Sequence, residues 1–339
     1  MSRPLVTALI DTYNYGHFVE EAIESVLAQD YPSERVEVLV VDDGSTDDTA
    51  ERVKKYGTRI QYLLKPNGGQ GSAFNFGFER AQGEIIAFLD ADDYWLPAKI
   101  SRVVSAFEAH PGTGLVYHRR MELNSATGES GEGDFAECSG YLPKSAAGIL
   151  AYRVLPTSSL AFNRETLARL MPMPEWIRLQ ADAYLALLVV FLAPVEAVPE
   201  TLSVYRLHGK NLYASDNRTT SKAAEHIEMR VKIVKAARDW LAAHDFDLKR
   251  AETKAYFEQL SLTLAADQFQ IKPPTRLEFF KHLMRRHKLY ASQYGWKLRL
   301  MNCFNAFAGS LAGYERFRSL HEAEARILSS LKNLGSGHV

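Results

Sequence analysis

The sequence predicts an α/β protein: a mostly parallel sheet flanked by helices, followed by a helical C-terminal domain. One observation is that apolar runs alternate with helix-like segments between Leu5 and about Leu89. Continuous apolar strands separated by amphipathic helices are typical of a parallel sheet that is covered on both faces. A second observation is that strand-like runs disappear beyond Thr219, where helical periodicity continues nearly to the C-terminal "GSGHV".

The predicted strands and helices follow one another in strict alternation. The strand-like runs are "LVTALI", "VEVLVV", "IQYLL" and "EIIAFL", beginning at Leu5, Val36, Ile60 and Glu84. The helix-like segments between them are His17–Gln29, Thr46–Tyr56 and Ser72–Ala81. The polar segments that follow the strands are "DTYNYGH", "DDGSTDDT", "KPNGGQGS" and "DADD". Because ligands bind at the carboxyl ends of parallel strands, we expect these four segments to form one binding rim.

Length, charge and cysteine content limit the classes of protein to which this sequence can belong. With 339 residues the chain has room for two domains, and we place the boundary near residues 214–220, between residues 1–215 and 216–339. A net charge of -1 gives no general attraction to nucleic acid. Two distant cysteines, Cys138 and Cys303, favour a reducing, cytoplasmic compartment. The N-terminus does not look like a signal peptide, and the longest apolar run, Ala183–Ala193, predicts a buried helix because it is too short to span a bilayer.

The end of the fourth strand carries Asp90, Asp92 and Asp93 on one turn. Carboxylates this close repel one another unless a cation or a set of hydrogen-bond donors compensates them. Mg²⁺ commonly binds through one or two carboxylates together with phosphate oxygens. The turn therefore predicts a metal and phosphate site. The alternative is a solvated turn in which Asp93 caps the next helix.

The end of the second strand is also acidic, but helix capping explains most of it. Ser45 or Thr46 is expected to cap the following helix, with further acids in its first turn. Asp43 is the exception, since a carboxylate on the rim can accept a hydrogen bond from a nucleobase. The glycine segment beginning at Asn67 precedes a helix, so its backbone N–H groups are expected to face an anion. It follows the third strand and has Phe74 where a dinucleotide fingerprint needs a small residue, which disfavours a Rossmann dehydrogenase.

Three stretches in order carry a family resemblance. They are "DTYNYGHFVEEAIESVLAQDYPSERVEVLVVDDGSTDDT", "NGGQGSAFNFGFERAQGEIIAFLDADDYWLP" and "QADAYLALLVVFLAPVEAVPETLSVYRLHGKN". In these residues the chain resembles the GT-A fold glycosyltransferases of family 2 over roughly residues 4–212. The resemblance implies a catalytic domain at 1–215, with a nucleotide-sugar half at about 1–110 and an acceptor half at about 111–215.

The resemblance also implies a set of residues for the nucleotide-sugar donor. Asp11 and Tyr13 would hold the nucleobase, and Asp43 would bind its edge. The remaining donor residues are Asn67 and Asn75 on the donor side and Asp90 near the ribose or the sugar.

The same resemblance implies a metal site and a catalytic base. Asp92 of the Asp-x-Asp motif would bind Mn²⁺ or Mg²⁺ directly, and His208 occupies a position that can approach the metal or the diphosphate. Asp182 would be the catalytic base, since a carboxylate within hydrogen-bond reach can take the proton of an attacking hydroxyl. The local alternative for Asp182 is a helix N-cap, and that for His208 is a structural hydrogen bond.

Two positions depart from the family pattern. Ala181 stands where an acid usually precedes the base, which could change how the base is oriented. Phe74 stands where many relatives have arginine, so this helix lacks a cation for the donor phosphates. Arg206 and Lys210 are candidates for neutralising the diphosphate, with solvated surface charge as the alternative.

The C-terminal region holds one basic stretch, Ile271–Leu300, within a nearly neutral protein. Its interleaved apolar and basic residues are compatible with a helix on a membrane surface or with an acidic partner. An ordinary helix with solvated lysines and arginines explains it equally, as does a dimer interface.

The sequence as a whole predicts an inverting, metal-dependent glycosyltransferase with a nucleotide-diphosphate sugar as donor, UDP being favoured. The expected acceptor is a glycan or lipid-linked hydroxyl, as in polysaccharide synthesis. The expected location is the cytoplasm, with peripheral contact at the inner face of a membrane left open. The alternative is an inactive nucleotide-sugar-binding or membrane-surface scaffold of the same fold. A nucleotidyltransferase is disfavoured because "DTYNYGH" lacks a lysine- and glycine-rich phosphate loop.

Overall fold

A computed structural model describes residues 3–135, 137–141, 155–209, 211, 220–290 and 313–314. Its strands are β1 (Val6–Thr12), β2 (Val36–Asp42), β3 (Gln61–Leu64), β4 (Ile85–Asp90), β5 (Tyr94–Trp95), β6 (Leu115–Asn124), β7 (Ser130–Glu132), β8 (Leu160–Asn163) and β9 (Val195–Leu207). Its α-helices are α1 (Gly16–Leu27), α2 (Thr49–Lys54), α3 (Gln70–Phe78), α4 (Lys99–Ala109), α5 (Arg164–Ala168), α6 (Ala181–Leu192), α7 (Thr220–Ala243), α8 (Ala251–Ile271) and α9 (Arg276–Tyr290).

The described strands form one sheet in the order β3-β2-β1-β4-β8-β6-β9-β5, with β7 paired to β6. The four strands that the sequence predicts, β1 to β4, pair in parallel. The other half is mixed, because β8 runs antiparallel to both β4 and β6 whereas β9 runs parallel to β6. The α/β fold class is confirmed, and the parallel half brings the carboxyl ends of β1, β2 and β4 to one edge.

The core explains why the apolar runs form strands. Residues on both faces of β1, β2 and β4 are buried, as expected when helices cover a parallel sheet on both sides. One face packs against Val19, Ile23 and Val26 of α1. Their spacing places them on one side of a helix.

Helix α6 is the buried helix that the sequence predicts. Most of its residues are buried, including the run Leu185–Val190. Within the described residues, we find no helix that is long and apolar enough to cross a membrane.

The chain divides into two compact units. The first contains Met1–Arg218 and Glu228–Glu252, and the second contains Thr219–Ile227 and Thr253–Val339. The expected domain boundary at 215/216 lies outside the described residues. In the second unit Phe279 and Leu283 of α9 form a small core, and Arg285 makes hydrogen bonds of 2.8 and 2.9 Å to the two carboxylate oxygens of Glu258. The basic stretch is described only up to Tyr290.

Candidate active site

Two carboxylates lie side by side at the edge of the parallel sheet. Asp11 is the last residue but one of β1, Asp90 is the last residue of β4, and the two are register partners in neighbouring strands. Burial raises the pKa of Asp11 to about 7, although a hydrogen bond with Asp90 works in the opposite direction. Burial, followed by the charges of Asp11 and Asp92, raises the pKa of Asp90 well above its usual range. Oδ1 of Asp11 is buried without a hydrogen-bond partner. This oxygen of Asp11 therefore lacks the partner that a buried polar atom requires, whereas Oδ1 of Asp90 accepts from Nε2 of Gln70 at 3.1 Å.

The acidic turn continues from this pair. Carboxylate oxygens of Asp90, Asp92 and Asp93 all lie within 4.8 Å of one another. Asp93 is fully buried, and its two oxygens accept hydrogen bonds from Ser158 Oγ at 2.6 Å and from the backbone N–H of Arg206 at 2.9 Å. Burial and the charge of Asp92 nevertheless raise its pKa. Asp93 is thus tied into the protein and fixes the turn.

Asp92 lies beside the predicted histidine. Nε2 of His208 is 3.0 Å from Oδ2 of Asp92, and Nδ2 of Asn211 is 3.4 Å from the same oxygen. The backbone N–H of His208 donates to Asn211 Oδ1 at 2.8 Å, and its ring packs against those of Tyr15 and Phe18. The two residues predicted to approach a metal are therefore brought together, although they are 116 positions apart in the chain.

The donor set of this cluster fits a hard divalent cation. It combines carboxylate oxygens with one imidazole nitrogen, ligands that Mg²⁺ and Mn²⁺ accept. The buried oxygen of Asp11 without a partner and the raised pKa values of Asp11 and Asp90 indicate uncompensated negative charge. A bound cation would compensate that charge.

The residues expected at the nucleobase lie on the same edge. Tyr13 follows β1 and is 46% exposed, so its ring is available for stacking. Asp43 is buried and forms an ion pair of 2.6 Å with Lys65 through Oδ1. The same oxygen accepts from the N–H of Gly68 at 2.9 Å, and Oδ2 accepts from that of Gly69 at 2.6 Å. A carboxylate offers about four acceptor positions, so Asp43 Oδ2 retains capacity for one more donor.

The N–H groups of the glycine segment bond to groups of the protein itself. The N–H groups of Gly68 and Gly69 donate to the Asp43 carboxylate. Those of Gln70 and Gly71 donate to the carbonyls of Arg178 and Ile177, both at 3.0 Å. Gly69 has a φ of +87°, and a Cβ there would lie 2.5 Å from the Cα of Arg178. Glycine is therefore required for close backbone packing. The anion that Gly68 and Gly69 face is therefore a carboxylate of the protein, and contact of this segment with the phosphates of a donor stays a prediction.

Asn67 and Asn75 both join the α3 region to its surroundings. Asn67 donates to the carbonyl of Asp43 at 2.9 Å and accepts from the guanidinium of Arg178. Asn75 donates to the carbonyl of Met173 at 2.9 Å, and its Oδ1 accepts from the N–H of the same residue at 2.7 Å. These amides hold the backbone, and their contact with a donor stays a prediction.

Asp182 lies in the first turn of α6. Its Oδ1 accepts from the N–H of Ala183 at 2.8 Å. Burial raises the pKa of Asp182 to about 6, although backbone hydrogen bonds, including one from Thr157, and the charge of Arg230 lower it. The N-cap of α6 is Gln180, in a left-handed conformation, so the capping alternative for Asp182 is wrong. A carboxyl group with this pKa can accept a proton near neutral pH.

The capping alternatives at the other acidic strand ends are also wrong. Helix α4 begins at Lys99 with Ala98 at its N-cap, so Asp93 caps no helix. Helix α2 begins at Thr49 with Asp48 as its N-cap, so Ser45 and Thr46 lie before it rather than at its start.

One of the two family departures, Phe74, has a structural explanation. Phe74 is fully buried and packs on Phe88 with 4.4 Å between ring centroids, so this position belongs to the core. The guanidinium of Arg206 pairs with Glu21 at 2.8 Å, which accounts for its charge in the ligand-free protein. Lys210 lies outside the described residues.

Sequence reasoning missed several residues that shape the site. Ser158 accepts from the N–H of Asp90 at 3.2 Å as well as donating to Asp93. The pKa of Tyr15 is raised by burial and then by the charge of Asp92, which places its hydroxyl near the acids. Asn211 and Gln70 also contact carboxylates of the cluster. No local pattern identifies these residues, because each contacts a partner far away in sequence.

A parallel half-sheet that gathers carboxylates at the ends of β1 and β4, joined to a mixed half, defines an α/β protein of the GT-A type. The family model for glycosyl transferase family 2 matches residues 7–136. A glycosyltransferase of Nostoc sp. is 36% identical over 228 residues, which cover 64% of this chain and 69% of the relative. The chain belongs to glycosyltransferase family 2.

Other relatives share only part of their length with this chain. A glycosyltransferase of Rickettsia typhi is 42% identical over 120 residues, or 35% of this chain and 37% of the relative. Among solved structures, S. aureus TarS in complex with UDP-GlcNAc superposes with a TM-score of 0.63 at 18% identity, covering 95% of this chain and 92% of TarS. The mannosyltransferase PcManGT of Pyrobaculum calidifontis, in complex with GDP-Man and Mn²⁺, gives 0.55 at 20% identity, covering 100% and 89%. These structures establish the GT-A fold.

Proposed function

We propose that this glycosyltransferase is a metal-dependent, inverting enzyme that moves a sugar from a UDP-sugar to an acceptor hydroxyl. The observation that carries the proposal is Asp182, in the first turn of α6, whose pKa is raised to about 6 by burial and whose charge acts on Asp11 and Asp90 of the acidic cluster. Asp182 takes the proton of the acceptor hydroxyl as that oxygen attacks the anomeric carbon. A single displacement inverts the configuration at that carbon.

Asp92 and His208 would hold Mn²⁺ or Mg²⁺, with Asp90 beside them. When bound, the cation offsets the negative charge that develops on the leaving diphosphate. TarS and PcManGT support a nucleotide-sugar donor and a divalent ion, because they were solved with UDP-GlcNAc and with GDP-Man and Mn²⁺. The protein's own part is to fix the acidic turn, which Asp93 does through its bonds to Ser158 and Arg206.

The nucleobase of the donor would lie between Tyr13 and Asp43. The exposed ring of Tyr13 offers a stacking surface, and the remaining acceptor position on Asp43 Oδ2 suits the N–H of uracil. Asn67 and Asn75 would line the donor through the segments that they hold. The acceptor that we propose is a glycan or lipid-linked hydroxyl in polysaccharide synthesis. Membrane contact or dimerisation through the basic helix α9 belongs to the same proposal.

A panel of UDP-, GDP-, CDP- and dTDP-sugars tests the proposal. We expect one UDP-sugar to raise the melting temperature with Mn²⁺ but not with EDTA, and to release UDP slowly in water. NMR of the transfer product should show the inverted anomer. Stabilisation without release or transfer to any glycan would favour the inactive binding protein. Full activity in EDTA would exclude the metal role.

A further inference from the structure

One glutamine side chain at the centre of the site uses both of its N–H donors and its carbonyl oxygen. Nε2 of Gln70 donates to Asp90 Oδ1 at 3.1 Å and to Thr157 Oγ1 at 3.2 Å. Its Oε1 accepts from the backbone N–H of Ala181 at 3.0 Å. A primary amide has two N–H donors and one carbonyl oxygen. Gln70 therefore joins three separate elements through three hydrogen bonds.

The orientation of this amide is determined by its partners. A backbone N–H, such as that of Ala181, can only donate, so it requires the oxygen of Gln70. With the oxygen directed at Ala181, the nitrogen faces Asp90 Oδ1 and Thr157 Oγ1, both of which can accept. Rotating the amide by 180° would place its NH₂ group opposite the N–H of Ala181, so that two donors face each other. The side chain is locked in one arrangement.

Two of the three partners lead directly to Asp182. Ala181 precedes Asp182 at the start of α6, and the backbone of Thr157 donates a hydrogen bond to the Asp182 carboxylate. The third partner, Asp90, belongs to the acidic turn and to the carboxylate pair with Asp11. Gln70 is thus a direct link between the expected donor acid and the elements that hold the expected base.

The backbone around Gln70 strengthens this link. Its own N–H donates to the carbonyl of Arg178 at 3.0 Å, in the segment that leads into α6. The preceding residue, Gly69, donates to the Asp43 carboxylate at 2.6 Å. Gln70 begins α3, so its Cα is held between the end of β2 and the segment before the base. Because both its backbone and its amide are fixed, Gln70 can hold the start of α6 at a set distance from Asp90.

We propose that Gln70 is a positioning residue that sets Asp182 relative to Asp90, so that the acceptor hydroxyl and the donor sugar meet in register. This inference rests on the proposed function, because it gives Asp182 the role of base and Asp90 that of a donor residue. Misplacing a catalytic group by about 1 Å can reduce a rate by about 100-fold. Losing the link should therefore reduce turnover while the nucleotide still binds.

The test replaces Gln70 by methionine, which has a similar length and forms none of the three bonds. The chain offers a matched control in Gln29, which donates from Nε2 to the carbonyls of Ser25 and Leu96 and accepts from the N–H of Ile100, all at 2.9 Å. Gln29→Met removes the same number of bonds from another half-buried glutamine that contacts none of the acids.

We expect Gln70→Met to lower kcat for sugar transfer by about 10- to 100-fold, while the Kd for UDP with Mn²⁺ changes by less than about threefold because Tyr13 and Asp43 are unaffected. Gln29→Met should keep kcat within about twofold and lose comparable melting temperature. A Gln70→Met enzyme with wild-type kcat, or an equal loss of kcat in Gln29→Met, overturns the inference.

A second variant separates the two ends of the link. Gln70→Glu keeps an oxygen for Ala181 but removes the donor to Asp90 and places a like charge beside it. Hydrogen–deuterium exchange in a peptide spanning residues 178–184 reports the Ala181 N–H. We expect faster exchange in Gln70→Met, wild-type exchange in Gln70→Glu, and reduced kcat in both. Unchanged exchange in Gln70→Met would remove the link to α6, and wild-type kcat in Gln70→Glu would remove the link to Asp90.

The exchange experiment needs no substrate, so it separates two kinds of failure. If the wild-type protein transfers no sugar from any nucleotide donor, the proposed function fails and the positioning role fails with it, even when exchange at Ala181 responds to Gln70→Met. If the wild-type protein transfers sugar and Gln70→Met does so equally well, only the positioning role fails.

Discussion

Two acidic strand ends on the same edge of the sheet differ in how the protein compensates them. At the end of β2, Asp42 accepts from the N–H of Ser45 at 2.7 Å and from the hydroxyl of Tyr62 at 2.6 Å. Its neighbour Asp43 is paired with Lys65. At the ends of β1 and β4, Asp11 has a buried oxygen without a partner, and burial raises the pKa of Asp90 well above its usual range.

We infer from this difference that the acids at the end of β2 are mainly structural and that those at the ends of β1 and β4 bind a ligand. Negative charge buried without compensation is costly, and it is tolerated where a ligand or function supplies the compensation. The β2 end builds the glycine segment and presents a single remaining acceptor position. The ends of β1 and β4 present a cluster of charge. Acid count alone would have ranked the two ends equally.

The largest expected effect is a loss of turnover on replacing Asp182, the proposed catalytic base beside the acids at the ends of β1 and β4. Asp182→Asn removes the proposed proton acceptor, so kcat for transfer should fall by about 10²- to 10⁴-fold. UDP binding with Mn²⁺, measured by calorimetry, should remain because the nucleotide residues are unchanged. The exposed Asp30→Asn is a control that should stay within about twofold. Normal turnover by Asp182→Asn would assign the base to another residue.

The second effect tests the compensated end. Asp43→Ala leaves Lys65, whose side chain is 9% exposed, without its carboxylate, and removes the acceptor of two glycine N–H groups. Breaking a buried ion pair from one side costs about 3 to 5 kcal/mol in the free energy of unfolding. Urea unfolding should show this loss. Asp48→Ala, which breaks the more exposed pair with Arg52, should cost at most about 1 kcal/mol. Equal losses in the two variants would contradict the distinction between the two ends.

The third effect is a pH dependence set by Asp182. Burial raises its pKa to about 6, so the carboxyl group holds its proton at a pH where an ordinary aspartic acid has lost it. The protonated form cannot act as a base. We expect kcat/KM for the acceptor to be full above this pKa and to fall about tenfold per pH unit below it. Thermal stabilisation by UDP and Mn²⁺ over the same range separates this effect from loss of the donor. A flat profile down to about pH 5 would contradict the assignment.

The sequence predicted what depends on local pattern. Apolar runs identify β1 to β4, and the acids after them share one edge because parallel strands end together. The partners of those acids were not predictable in the same way. Lys65 and the N–H groups of Gly68 and Gly69 compensate Asp43. Nothing in the local sequence indicates that Asp43 has these partners and that Asp90 does not. Gln70 contacts Ala181, 111 positions away. The mixed half of the sheet escaped prediction because the antiparallel position of β8 between β4 and β6 depends on pairing between segments that are distant in sequence.

The smallest expected effect is a change in the free energy of unfolding on replacing Asp90. It is the sharpest test of the comparison, because its sign is opposite to that expected for Asp43. Asp90→Asn keeps an oxygen for Gln70 and gains an amide that can donate to the Asp11 carboxylate. It also removes one charge from a cluster that burial and mutual repulsion already disfavour. The ligand-free protein should therefore be as stable as wild type or more stable by up to about 1 kcal/mol, while activity falls. Asp43→Asn should be destabilising in the same urea experiment. If Asp90→Asn lost as much stability as Asp43→Asn, both strand ends would be structural and the metal would have to bind elsewhere.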